Sequence, residues 1–285
     1  MLLSVFMTIT SVGWLQAQDT SEDPGYTKTD NDYEVKTAKG LQKVLGELNE
    51  VKTAQTTTIT LANDLNISEV SFAGPTGAQW QGIFYLKATS ANIASLTIDG
   101  AGHSIIGENT SNTVEGSFDP TKNYVFYFDG SGSSPIIFKD LTVKNTNILA
   151  FNLYNLNNLK FNKVALNGNA EGGLHLNSSQ LTATDFTTSG NGKFAVKLSR
   201  QVGNMPKFTL VSGTISEDNV PQIAFYPSWC RSAYLRQTNG KVPGTHFHPR
   251  PDTVGSKQRR RSPPPYTPRY LSRIIPLYNS PGKPR

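Results

Sequence analysis

Apolar positions recur in pairs, two residues apart, along the middle of the chain. Tyr124-Val-Phe-Tyr-Phe-Asp, Leu149-Ala-Phe-Asn-Leu-Tyr, Gly173-Leu-His-Leu-Asn and Ala195-Val-Lys-Leu-Ser carry the pairs Phe126/Phe128, Phe151/Leu153, Leu174/Leu176 and Val196/Leu198. Alternation of period two marks a strand with one buried face. A second alternating stretch follows each, beginning at Ile137, Leu159, Leu181 and Phe208. Polar turns close the repeats: Asn145-Thr-Asn, Asn167-Gly-Asn, Ser189-Gly-Asn and Glu217-Asp-Asn. The series Phe126, Phe151, Leu174, Val196 advances by 25, 23 and 22 residues. A period in the twenties with strands in every repeat predicts an all-β solenoid, a parallel β-helix. Asn suits its turns, because it tolerates the left-handed conformation and stacked Asn side chains can hydrogen-bond between neighbouring repeats.

The same alternation sorts the side chains by direction. The paired apolar residues form two inward rows, while Tyr85, Tyr127, Asn152, His175 and Lys197 share one outward position on successive repeats. That stripe is the extended surface the repeat predicts. Aromatic and polar groups about 4.8 Å apart can stack on sugars or meet a protein partner, so these five are the candidate binding residues. His175, between inward Leu174 and Leu176, is expected to face solvent.

Upstream, Leu41, Val44, Leu45, Leu48 and Val51 fall on one face of a helix over 39–51. A solenoid exposes the strand edges and core of its first coil, and this helix is expected to cap them. Strands are predicted at Tyr33–Lys36, Thr56–Ile67, Ile83–Thr89 and on both sides of Gly100-Ala-Gly. The segment 108–123 lacks apolar periodicity and reads as a loop. The domain reading is therefore a signal peptide at 1–17, a Pro24-Gly25 linker over 18–32, a β-helix domain over 33–226, and a disordered tail over 227–285. Residues 1–17 form an apolar run of signal-peptide length, too short to span a membrane, so the mature protein is expected not to cross one.

Charge changes this picture only at the end. The formal +6 combines a net −5 over residues 1–230 with a net +11 over 231–285. Ten of the 17 prolines lie in that last stretch, so it cannot continue the repeat. Two readings of it stay open, a genuine tail and a frame-shift product. A nucleic-acid partner has no support outside it. Cys230 is the single cysteine, which leaves no intrachain disulfide and no cysteine-based zinc site. No metal site and no cofactor are expected.

Leu96-Thr-Ile-Asp-Gly-Ala-Gly-His-Ser-Ile, with its strand-and-Asn-turn repeats, resembles the right-handed parallel β-helix of the pectin-lyase-like superfamily. The Leu41-Gln-Lys-Val-Leu and Thr58-Ile-Thr-Leu-Ala-Asn-Asp-Leu segments are similar to the entry of bacterial surface β-helices. The resemblance covers roughly residues 33–226. It implies the fold and a secreted or cell-surface bacterial protein; it does not imply one activity. Of the hydrolase motifs only Gly102-His103 matches in part, and it reads as a turn. Asp140 and Asp185 are separated by Lys163 at the equivalent position, a mixed-charge face rather than an acid pair. Asp129 stands apart from both. The expected function is binding, adhesin-like or glycan-contacting, to a polysaccharide or a host or cell-surface protein, with no catalytic residues. The alternative is a fragment of a polysaccharide lyase or glycoside hydrolase.

Overall fold

The structure, a computed structural model, describes residues 23–68, 70–73, 80–107, 123–131, 134–217, 220–225 and 234–237. All of them belong to the first of the two units of the chain, Met1–His248, the second being Pro249–Arg285. The expected signal peptide over 1–17, the loop over 108–122 and most of the tail lie outside the described residues.

Strands β1 (Tyr26–Thr29) and β2 (Asp32–Val35) precede helix α1 (Ala38–Glu50). Then come β3 (Gln55–Leu61), β4 (Leu65–Asn66), β5 (Gln81–Ala88), β6 (Ile93–Asp99) and β7 (Ser104–Ile106). The repeats supply β8 (Asn123–Gly130), β9 (Ile136–Lys144), β10 (Leu149–Tyr154), β11 (Leu159–Asn167), β12 (Leu174–Asn177), β13 (Gln180–Thr184) and β14 (Phe186–Ser189). The series continues with β15 (Val196–Ser199), β16 (Lys207–Leu210), β17 (Gly213–Ser216), β18 (Ile223–Phe225) and β19 (Tyr234–Gln237).

These strands form two predominantly parallel sheets. Six of them pair in the order β5-β8-β10-β12-β15-β18; the other thirteen form a second sheet whose main path runs β1-β2-β3-β6-β9-β11-β13-β16-β19. The chain passes alternately through the two, and neither sheet closes on itself. The sequence repeat sets the register. Phe84, Phe126, Phe151, Leu174 and Val196 face one another across the six-stranded sheet, as do Leu86, Phe128, Leu153, Leu176 and Leu198. All ten are fully buried, and each contributes roughly 1.5–3 kcal/mol on leaving water. Phe138, Phe161, Phe186 and Phe208 meet them from the second sheet. The Phe126 and Phe151 rings stack at 4.7 Å, and Phe138 stands edge-on to Phe151 at 5.0 Å.

Left-handed residues stack at the corners, where the turns of successive passes coincide. Asp140, Lys163 and Asp185 all have positive φ and align with one another. Lys163 Nζ reaches Asp140 Oδ1 at 2.8 Å, and Ser212 Oγ donates to Asp185 Oδ1 at 2.7 Å. At the Asn turns a buried polar ladder runs from pass to pass. Thr146 Oγ1 lies 2.9 Å from Asn169 Oδ1, Asn169 Nδ2 donates to Asn191 Oδ1 at 2.9 Å, and Asn191 Nδ2 donates to Glu217 Oε1 at 2.7 Å. Register pairs Asn145 with Gly168, one residue off the sequence alignment, and this brings Thr146 rather than Asn147 onto the ladder.

Helix α1 covers the edge of β5 as a cap should. Thr37 caps it by accepting from the Gly40 N–H at 3.0 Å, and Leu41, Val44, Leu45 and Leu48 are buried beneath it. A Cβ at Gly40 would sit 2.2 Å from the Gly25 oxygen, so only glycine lets the first strand approach. Gln42 Nε2 donates to the Ile83 oxygen at 2.8 Å, and Asn49 accepts from the Lys87 N–H at 2.7 Å while donating to the Tyr85 oxygen at 3.3 Å. Open β5 edge groups thus find helix side chains instead of another chain.

Two boundaries differ from expectation. The supposed linker over 18–32 contains β1, which forms an antiparallel hairpin with β2 around left-handed Asp30. Tyr26 and Tyr33 both hydrogen-bond Glu47 of α1, which ties the hairpin down. Pairing also continues past 226: β19 lies parallel to β16, with Leu235 opposite Phe208. Tyr234-Leu-Arg-Gln carries no period-two alternation, since its register sets Gln237 opposite Leu210.

Candidate functional site

The five stripe residues stand in register on the outer face of the six-stranded sheet. Tyr85 faces Tyr127, Tyr127 faces Asn152, Asn152 faces His175, and His175 faces Lys197. Two residues further along the same strands runs a second outward row: Lys87, Asp129, Tyr154, Asn177 and Ser199. Between them lies a groove of about 450 Å³. Its floor is Tyr127, Asn152, His175 and Lys197 with Tyr154, Asn177 and Ser199. Trp80 and Tyr124 complete its lining at the aromatic end, and Arg200 and Gln201 at the other. Tyr85 is not part of it; its ring packs on Tyr127 at 5.6 Å.

Several of these side chains escape the sequence reading for identifiable reasons. Tyr154, Asn177 and Ser199 follow from the same period-two alternation, extended one step. Tyr124 does not, because Val125 and Phe126 are neighbours that both enter the core, which breaks the alternation. Tyr124 is turned outward, 5.7 Å from the Tyr127 ring. Trp80 arrives just before β5 and lies nearly parallel to Tyr124, with ring centroids 6.2 Å apart. It is the one exposed large hydrophobic residue among those described.

The electrostatics of the groove run from one end to the other. His175 faces outward between buried Leu174 and Leu176 and is half-buried on the groove floor. Burial pushes its imidazole down to about 3, helped by neighbouring Lys197, so it is neutral at physiological pH. Its Nε2 lies 2.7 Å from Ser199 Oγ. None of the described residues lining the groove is a carboxylate. Burial, then Lys193, lowers Lys197 from the usual lysine range. Arg200 is anchored through Nε to the Val202 oxygen at 3.3 Å and through Nη2 to the Gly203 oxygen at 3.0 Å. At the opposite end burial raises Asp129, and the Tyr85 hydroxyl is pushed up to about 12 by burial and by Asp129. Tyr127 and Tyr154 shift upward for the same two reasons.

Two polar atoms in the groove have no partner. Asn152 is 4% exposed and Asn177 9%, and the Oδ1 of each is buried without a hydrogen bond. Asn177 Nδ2 is fixed by Gln201 Oε1 at 2.8 Å, which sets the direction of its amide. Asn152 and Asn177 both adjoin His175, one across the sheet and one two residues along the strand.

The remaining carboxylates of interest are elsewhere. Asp140 and Asp185 lie at the corner of the second sheet in the contacts given above, and Asp99 pairs with Lys139 at 2.8 Å. Gly102-His103 is a turn, with Ala101 and Gly102 at positive φ and the His103 N–H bonded to the Gly100 oxygen at 2.7 Å. Among the described residues no cluster of three His, Cys, Asp or Glu side chains is arranged to hold a metal ion, and no helix is long and apolar enough to cross a membrane. No family model, curated protein or solved structure matches the chain.

Proposed function

We propose that the passes are coils of a right-handed parallel β-helix and that the groove holds a saccharide chain, binding it without chemical change. A period of 22 to 25 residues with parallel in-register strands supports the coil reading. The pectin-lyase-like resemblance and the apolar run at 1–17 support a bacterial protein acting outside the cell. The observation that carries the binding reading is the pair of orphaned amide oxygens of Asn152 and Asn177. A buried acceptor without a donor costs about 1–3 kcal/mol, so a ligand rich in hydroxyl donors recovers that loss. Trp80, 39% exposed, presents ring surface at the aromatic end, backed by the buried rings of Tyr124 and Tyr127, and such a face suits the C–H groups of a sugar. Glycoside hydrolysis needs two carboxyl groups within about 5–9.5 Å around one linkage, and the described lining residues supply none.

Replacing each Asn by its apolar isostere separates ligand contact from folding. Asn152→Leu and Asn177→Leu remove an unpaired buried acceptor, so the free protein is expected to keep or raise its melting temperature. Binding to an oligosaccharide array should fall about tenfold or more, the equivalent of roughly 1.4 kcal/mol. A wild-type protein that retains no saccharide, or variants that bind as well as wild type, would contradict the proposal.

A further inference from the structure

The groove is chemically polar from end to end, and that polarity constrains its occupant beyond being a sugar. Lys197 and Arg200 line one end, and none of the described lining residues is a carboxylate. Three strands away, Asp129 stands on the outward row next to Tyr154, a separation of about 14 Å at the usual strand spacing. Trp80, Tyr124 and Tyr127 occupy the same end as Asp129, and the neutral amides of Asn152 and Asn177 lie between the ends. At physiological ionic strength charges are screened over about 8 Å, so the two ends act nearly independently on a bound chain.

We infer that the groove selects an oligosaccharide carrying a single anionic group at one terminus. The anion sits at Lys197 and Arg200, and neutral sugar rings extend toward Trp80. This rests on the saccharide reading above. A carboxylate or a sulfate at that terminus meets the same two cations. A chain with an acid on every residue meets them equally well but, where it runs past the groove lining, also brings a negative charge toward Asp129, whose anion burial already disfavours despite Lys87 opposite it. Uncharged chains keep the Asn and aromatic contacts and lose the cationic end. The order of affinity is therefore singly acidic, then neutral or uniformly acidic.

The test compares chains of equal length: neutral galactose oligosaccharides, the same chains ended by one uronic acid or by one 6-sulfated galactose, and oligogalacturonates. The two singly acidic sets should bind about tenfold or more tightly than the neutral one. Lys197→Gln with Arg200→Gln should abolish that advantage, lowering affinity for the singly acidic chains about tenfold more than for the neutral ones. Asp129→Asn should improve oligogalacturonate binding without improving neutral binding. A preference for only one of the two anions identifies it as the natural terminus and still supports the inference. Equal binding of neutral and singly acidic chains, or tightest binding of oligogalacturonate by the wild type, overturns it while leaving the saccharide reading in place. Absence of binding to every chain overturns both. Circular dichroism and melting temperature of each variant establish that lost binding is not lost folding.

Discussion

Replacing Asn169 by Asp changes one atom at the centre of the buried ladder and tests whether that ladder holds the passes together. Asn169 is fully buried. Its Oδ1 accepts from Thr146, and its Nδ2 donates to Asn191 Oδ1 at 2.9 Å and to the Val143 oxygen at 3.2 Å. An ionised Asp keeps the first role and loses the second, which turns an oxygen toward two acceptors. Asn191 Oδ1 keeps the Asn169 backbone N–H at 3.1 Å, so two donated hydrogen bonds are lost rather than two groups orphaned, roughly 1–3 kcal/mol, with charge burial added. Repulsion and burial raise the folded pKa of the new carboxyl above its unfolded value of about 3.9. The sign of the linkage then follows. The protonated acid retains a donor, so stability relative to wild type is nearly complete below about pH 4. It is lost as pH rises, by at most about 1.4 kcal/mol per unit, until the folded pKa is passed. Urea denaturation of wild type and Asn169→Asp from pH 3 to 8 measures this, with exposed Asn157→Asp as the control for added charge. A deficit that does not depend on pH, or one equal to the Asn157→Asp deficit, would refute the ladder as a source of stability.

Register is tested by Leu176→Asp against Lys197→Gln: the first places a charge in the core and should unfold the neighbouring strands, while the second should change stability by less than about 1 kcal/mol. Equal effects in thermal melts would mean that inward and outward faces are misassigned. Edge capping predicts that Asn49→Ala costs about 1 kcal/mol and speeds hydrogen exchange at the Lys87 amide, with little change at Leu176. Because His175 titrates at about 3 when folded and about 6.5 when unfolded, stability should decline as pH falls from 6.5 toward 3. His175→Gln should remove that component of the slope, and an unchanged pH profile would argue against a neutral imidazole held in the groove.

The inward rows and the outward stripe are legible because one residue in two must face the core, and Phe126/Phe128 through Val196/Leu198 obey this without interruption. The stripe locates the groove but not its limits. Trp80 belongs to no periodic segment, and Tyr124 is displaced by the paired burial of Val125 and Phe126. Composition misleads at both ends. The hairpin at Tyr26–Thr29 is masked by the acidic Pro24-Gly25 surroundings, and β19 by the Arg and Pro residues around it. The Asn ladder is foreseen in kind, since the turns repeat, but its members depend on a one-residue register that only the paired strands reveal. The orphaned oxygens of Asn152 and Asn177 leave no trace in sequence, because an unmet hydrogen bond is a property of the packed groove.

The most direct measurement of saccharide binding in the groove follows the side-chain amide signals of Asn152 and Asn177 by nuclear magnetic resonance as the tightest-binding oligosaccharide is added. Both signals are expected to shift together with the Trp80 indole, saturating at the same ligand concentration, while those of Asn169 and Asn191 stay fixed. Saturation with the groove amides unmoved, and shifts gathered instead around Lys160, Thr182 and Lys207 on the other sheet, would contradict it.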